Sequence, residues 1–236
     1  MITLPIKGSN ATHTLDPRII IGIGLNYRDH IAEHDKIHVQ GFTPEIPSEP
    51  VIFPKTPNVL VGPDEPIVIP EFLADYNFED PRIDYEAELA VIIKKSCQNV
   101  SRENALEHVF GFTCMNDITQ RNLQRNDPSG WFRGKSLDTF GPIGPVIVPP
   151  ENIDHANLTI CARLNGREVQ SSNTANLIFP VDELIAYISR QITLGPGDII
   201  STGTPSGVGP ITAGDNIEVE IQDIGTLCNP VIAAKK

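Results

Sequence analysis

A chain of 236 residues can bury a substantial core as a single domain, since barrels and sandwiches of this size are routinely one unit, so folding needs no disulfide or metal staple. A net charge of −12 at pH 7 speaks against nucleic acid or an anionic membrane as a partner, and leaves any anionic substrate to be drawn in locally by a metal or by particular Lys and Arg side chains. The four cysteines, Cys97, Cys114, Cys161 and Cys228, stand far apart with no C-x-x-C, which disfavours a thiolate zinc site and fits reduced thiols in a cytoplasmic protein.

The 21 prolines and 18 glycines punctuate short apolar runs along the whole chain, a β-rich pattern. In chain order, strands are expected over residues 18–24, 67–69, 85–94, 110–115, 144–148, 158–164, 198–202 and 216–221. Four stretches read as helical. Residues 27–34 follow Asn26 as a cap, 102–109 follow Ser101, and 118–125 follow Asp117 directly. The strongest is 181–191, where Val181, Leu184, Ile185 and Ile188 recur at i, i+3, i+4, i+7 and Pro180 suits the start. The Pro-rich stretch 42–66 reads as an extended crossing that joins an amino-terminal segment, residues 1–66, to a main body, residues 67–236, within one functional domain. Strands and helices do not alternate regularly, so an α+β architecture is favoured over a doubly wound sheet. No run has the length of a signal peptide or a membrane span. Gly22-Ile23-Gly24 lacks the third glycine of a dinucleotide fingerprint, and the Gly203–Gly209 loop lacks the Walker lysine.

Within Asp84-Tyr85-Glu86-Ala87-Glu88-Leu89-Ala90-Val91-Ile92-Ile93, two carboxylates stand two residues apart at the mouth of a β-branched apolar run. In a strand, residues i and i+2 share a face, which sets Glu86 and Glu88 on one side with Cα atoms roughly 6.5–7 Å apart. Beyond Glu88 both faces are apolar, as in a strand buried on both sides, so the carboxylates enter the interior and need a compensating cation. A third acid, Asp117, ends another apolar stretch, and three oxygen ligands suit a hard divalent ion. The competing reading is a wet face on an antiparallel strand, the usual place of acids in a sheet; this segment alone leaves both open.

Five motifs stand in order: Gly24-Leu25-Asn26-Tyr27-Arg28-Asp29-His30-Ile31-Ala32-Glu33, Asp84 to Leu89, Asn116-Asp117-Ile118-Thr119, Arg133-Gly134-Lys135-Ser136-Leu137-Asp138-Thr139-Phe140-Gly141-Pro142, and Ser201-Thr202-Gly203-Thr204-Pro205-Ser206-Gly207-Val208-Gly209. Together they resemble the fumarylacetoacetate hydrolase superfamily over roughly residues 18–232. The resemblance implies a mixed β-sheet roll, a homodimer, and a divalent Mg, Mn or Ca ion held by Glu86, Glu88 and Asp117. Its members act on small 2-oxo or 2,4-dioxo acids through an enolate beside a carboxylate. Lys135 matches the family lysine beside the metal, and Thr204 the threonine that faces the substrate carboxylate. Arg121 and Gln124, four and seven positions after Asp117, match substrate-contacting positions of the acylpyruvase branch. His30 and Glu33, at i and i+3, match a pair that activates water from a lid, here about residues 26–35, in a hydrolytic subset. One departure is Leu25, where acylpyruvase and oxaloacetate decarboxylase members often carry arginine; leucine there is common in the isomerase branch. The leading expectation is hydrolysis of a C–C bond in an acylpyruvate or fumarylpyruvate. The alternatives are isomerisation of a hydroxymuconate-like dienoate and decarboxylation or tautomerisation of oxaloacetate.

Overall fold

The computed structural model describes residues 1–31, 45–125, 127–128 and 131–234, apart from the side chains of His30 and Ile31. At its centre lies a seven-stranded mixed sheet in the order Val51–Lys55, Ile20–Gly24, Ile199–Ser201, Ala87–Ile93, Val109–Asn116, Gly141–Val148 and Leu60–Val61. Two of its pairings are parallel, Ile20–Gly24 with Ile199–Ser201 and Gly141–Val148 with Leu60–Val61. A five-stranded sheet, Arg167–Asn173, Thr159–Leu164, Asn216–Ile221, Gly225–Ala233 and Ile67–Ile69, packs against its central strands. Ile2–Pro5 pairs with Thr12–Leu15, and Ile83–Tyr85 pairs with both Thr119–Gln120 and Gly209–Pro210. The fold is α+β and strand-rich, a curled mixed sheet with few helices.

The strand Ala87–Ile93 is buried from end to end. Ala87, Leu89, Val91 and Ile93 join a core shared with Ile160, Ala162, Ile217 and Val219 of the five-stranded sheet. Ala90 and Ile92 face a second core with Leu4, Leu15, Ile20, Val59 and Met115. Coverage of both faces explains why this segment reads as a continuous apolar run rather than an alternation. Glu86 and Glu88 fall on the Ala90 and Ile92 side, and both are buried. The acids therefore lie inside, and the wet-face reading is excluded.

The helix Val181–Gln191 spans the residues its periodicity predicts and buries Val181, Leu184, Ile185 and Ile188, lying against the 3-10 turn Arg102–His108. Elsewhere the elements differ from expectation. Residues 118–120 are not helical: Thr119–Gln120 pairs with Ile83–Tyr85, and the helix is Arg121–Arg125, begun where the Gln120 Oε1 accepts from Leu123 N at 2.6 Å. Of residues 102–109, Arg102–His108 form a 3-10 turn rather than an α-helix, and Val109 already belongs to the next strand. Of residues 27–34, Tyr27 forms an isolated bridge to Leu177, Arg28–Ile31 is helical, and residues 32–34 lie outside the described residues. Asn26 does not cap that helix, because its amide is committed elsewhere: it donates to Phe179 O (3.0 Å) and Thr202 O (2.7 Å) and accepts from Phe179 N (2.8 Å).

The Pro-rich stretch supplies both outer strands of the seven-stranded sheet, Val51–Lys55 and Leu60–Val61, and Pro54 sits where a missing N–H is tolerated, on an edge. A short helix, Phe132–Lys135, has no counterpart in the sequence reading. All four cysteines are free, and no helix among the described residues is long and apolar enough to cross a membrane.

Candidate active site

The neighbouring strands Ala87–Ile93 and Val109–Asn116 bring the acids together. Asp117 N donates to Glu86 O at 2.9 Å, and Glu86 N donates to the Asn116 side-chain carbonyl at 2.9 Å, so the two chain segments are tied at the carboxylates. One oxygen from each of Glu86, Glu88 and Asp117 lies within 4.8 Å of the others, and all three residues are buried.

The surroundings of these acids are more cationic than one lysine. Lys135 Nζ donates to Glu86 Oε2 (2.7 Å) and Asp117 Oδ2 (2.6 Å) and lies 4.7 Å from the centre of the Phe53 ring. Lys55, on the edge strand, pairs with Asp117 Oδ1 and donates to Phe140 O at 2.9 Å. Arg121 spends its guanidinium on Asp84 (2.7 Å), Glu86 (2.5 Å) and the Gln124 carbonyl (3.0 Å). Asp84, Glu86 and Asp117 thus face the three buried cations Lys55, Arg121 and Lys135, with the partly exposed Arg82 also on Asp84.

Glu88 stands apart from those ion pairs. Its Oε2 accepts from the Ser201 hydroxyl (2.5 Å) and Gly203 N (2.9 Å), both neutral donors. Burial first, and then the charges of Asp117 and Glu86, push its carboxyl up to about 8. Burial works against the charge of Lys135, yet Asp117 and Glu86 outweigh it and hold the ammonium above its ordinary value. For Lys55 the balance runs the other way, and burial draws it down. The site therefore carries a buried carboxyl with no cation of its own, the place where an added divalent ion gains most. An oxygen-only donor set of three carboxylates fits a hard ion such as Mg2+, Mn2+ or Ca2+.

A narrow cleft opens on the cluster, and it has two unlike sides. Glu86, Glu88, Arg121, Gln124, Lys135 and Thr204 form the polar side, while Ile23, Leu25, Phe53 and Trp131 form the apolar side. A Cβ on Gly24 would lie 2.7 Å from the Trp131 ring, so Gly24 admits the indole against the strand; the Gly22-Ile23-Gly24 pattern serves packing rather than a phosphate. Leu25 and Trp131 both have positive φ, 59° and 73°, an uncommon state for side-chain-bearing residues.

Of the residues singled out from sequence, Glu86, Glu88, Asp117, Lys135, Arg121, Gln124 and Thr204 come together here. Arg121 and Gln124 share the helix Arg121–Arg125, but Asp117 precedes it, and Arg121 reaches Glu86 rather than Asp117. Glu33 and the His30 side chain lie outside the described residues. The sequence does not single out Lys55, Ser201 and Gly203, which contact the acids, or Asp84, which shares Arg121 with Glu86. Asp84, Ser201 and Gly203 sit inside motifs that were in view, whereas nothing in Phe53-Pro54-Lys55 signals a buried ammonium.

The family model described as fumarylacetoacetate (FAA) hydrolase C-terminal matches residues 19–232. A protein of Archaeoglobus fulgidus is 44% identical over 216 residues, 92% of this chain and 79% of its own length. A mitochondrial oxaloacetate tautomerase of Xenopus laevis is 41% identical over 226 residues, 92% of this chain and 66% of its own. Among solved structures, fumarylpyruvate hydrolase from Pseudomonas aeruginosa, in complex with Mn2+ and pyruvate, is 31% identical, with a TM-score of 0.82 and a match over 99% of this chain and 96% of that one.

Proposed function

The chain belongs to the fumarylacetoacetate hydrolase family, and from that premise we propose that it is a divalent-metal-dependent hydrolase that cleaves the C–C bond of a small 2,4-dioxo acid with an uncharged tail, of the acylpyruvate class. The observation that carries this reading is the two-sided cleft: a polar side that includes Lys135 and Thr204 faces an apolar wall of Ile23, Leu25, Phe53 and Trp131. A divalent ion held by Glu86, Glu88 and Asp117 supplies Lewis acidity to the 2-oxo end of the substrate.

The chain's own residues do the rest. Thr204 donates to the substrate carboxylate. Lys135, held beside the acids by two charged hydrogen bonds, offsets the negative charge that grows on the 2-oxo oxygen as the bond breaks. His30, oriented by Glu33, takes a proton from water; the hydroxide adds to the distal carbonyl, the C–C bond opens, and its electron pair becomes the pyruvate enolate. Protonation of that enolate carbon yields pyruvate, and the distal fragment leaves as a carboxylic acid. The Phe53 and Trp131 rings keep water away from the enolate face.

A second reading, keto–enol tautomerisation of an oxaloacetate-type acid, is favoured by the 41% identity to the Xenopus laevis enzyme of that name. It needs the same enolate stabilisation and no nucleophilic water. Product analysis with acylpyruvates, fumarylpyruvate and oxaloacetate separates the two. Release of pyruvate plus an acid supports hydrolysis; faster enol–keto exchange of oxaloacetate without pyruvate release from any dioxo acid overturns it.

A further inference from the structure

We propose that Gln170 fixes the direction in which the Thr204 hydroxyl donates its proton and so acts as a positioning residue for the anionic end of the substrate, an inference that rests on the reading of Thr204 given above. Gln170 lies in Arg167–Asn173, the outer strand of the five-stranded sheet, and is 1% exposed. Its Oε1 accepts from Ala87 N at 3.0 Å, the peptide nitrogen between Glu86 and Glu88. Its Nε2 donates to Thr204 Oγ1 and to Pro205 O, both at 2.8 Å.

These three bonds admit one amide orientation. Turned over, the NH2 would meet the Ala87 N–H, and the amide oxygen would meet Pro205 O, two repulsive contacts in a buried place. With the orientation set, Thr204 Oγ1 is an acceptor on its inner side. A hydroxyl has one hydrogen, so the Thr204 proton is left to point away from Gln170, toward the cleft that Thr204 lines.

The consequence is one of sign. A substrate carboxylate can only accept hydrogen bonds; a threonine turned the other way would offer it lone pairs and repel it. A neutral side chain that does not line the cleft thereby sets whether the cleft attracts an anion at this point. The same amide also links the backbone of the two glutamates to the Thr204 loop, so the anion donor and the acids keep a fixed spacing.

Neutron diffraction on deuterium-exchanged crystals reads the hydroxyl directly. The expected deuteron lies on the cleft side of Oγ1; one directed at Gln170 or Pro205 overturns the proposal whatever reaction the enzyme performs. The functional consequence is read on the Mn2+-loaded chain with an acylpyruvate, in wild type, Gln170→Met, Thr204→Val and the double variant. Gln170→Met is expected to raise KM about tenfold, the scale of one hydrogen bond to a charged group, with kcat changed less than about threefold and Mn2+ affinity unchanged. Added to Thr204→Val, it is expected to move KM by less than about twofold, because the hydroxyl it orients is gone. Equal increases in both backgrounds mean that Gln170 merely holds its strand, and overturn the proposal. If no 2-oxo acid is turned over by wild type, the functional reading fails, and the neutron result alone decides the direction of the hydroxyl.

Discussion

Glu88→Gln probes a buried carboxyl that has no ion pair among the described residues. In the metal-free chain the Glu88 carboxyl is pushed up to about 8, so at pH 7 its neutral form dominates. A glutamine imitates that neutral form, and its amide oxygen can accept the same two bonds from Ser201 and Gly203. The variant is therefore expected to fold without loss when metal-free. Because the folded-state value is raised above that of the unfolded chain, Glu88 contributes stability that is full below about pH 4.5 and is lost as pH rises toward about 8. Urea melts of the metal-free wild type should decline through that window relative to Glu88→Gln. Metal binding shows the complementary effect, since a divalent ion must displace the proton: wild type should release about one proton per Mn2+ at pH 6.5 and few above pH 9, with affinity rising about tenfold per pH unit below 8. Calorimetry in two buffers of different ionisation enthalpy counts those protons. Glu88→Gln should bind Mn2+ at least about 100-fold more weakly, beyond the roughly 10–100-fold typical when a group supporting a ligand is lost. A wild type that takes up Mn2+ at pH 6.5 without proton release, or a variant that binds as tightly as wild type, would refute the argument.

Three further outcomes are expected. Lys135→Met should lower kcat/KM on an acylpyruvate by about 10²–10³-fold through lost charge stabilisation, and borohydride with substrate should leave wild-type Lys135 unmodified; a covalent adduct there would reassign it as a Schiff-base residue. His30→Ala should reduce pyruvate release by about 10²–10⁴-fold while enol–keto exchange and Mn2+ affinity persist, and hydrolysis at the wild-type rate would remove the water-activating role. Leu25→Arg should shift preference from apolar-tailed acylpyruvates toward fumarylpyruvate by about tenfold or more, measured as a ratio of kcat/KM values; an unchanged ratio would detach Leu25 from the substrate's distal end.

The acidic end of the site is legible because its residues obey short-range rules. Glu86 and Glu88 sit at period two ahead of a run whose apolar character on both faces announces burial, and the structure buries Ala87–Ile93 completely. The helix Val181–Gln191 was equally plain, since one apolar stripe and a proline start leave little choice. What sequence hid depends on long-range pairing. Arg167–Asn173 carries one aliphatic residue, Val169, among polar ones, so it lacks a strand pattern and is held by its neighbour Thr159–Leu164. The Gln170 it delivers to the Thr204 loop was therefore out of sight. Lys55 falls within the Pro-rich crossing 42–66, where nothing in the sequence marks it as buried; pairing with Ile20–Gly24 turns it inward onto Asp117. The helix expected from Ile118 begins at Arg121 because the Gln120 side chain caps it there, which propensity alone does not reveal.

The central claim is that Glu86, Glu88 and Asp117 together hold the divalent ion at the head of the two-sided cleft. Anomalous diffraction at the manganese edge, on crystals grown with Mn2+ and pyruvate, tests it most directly. One strong peak is expected, ligated by an oxygen from each of the three carboxylates, with pyruvate on the side of Lys135 and Thr204. A peak ligated elsewhere, or none at millimolar Mn2+, would contradict it.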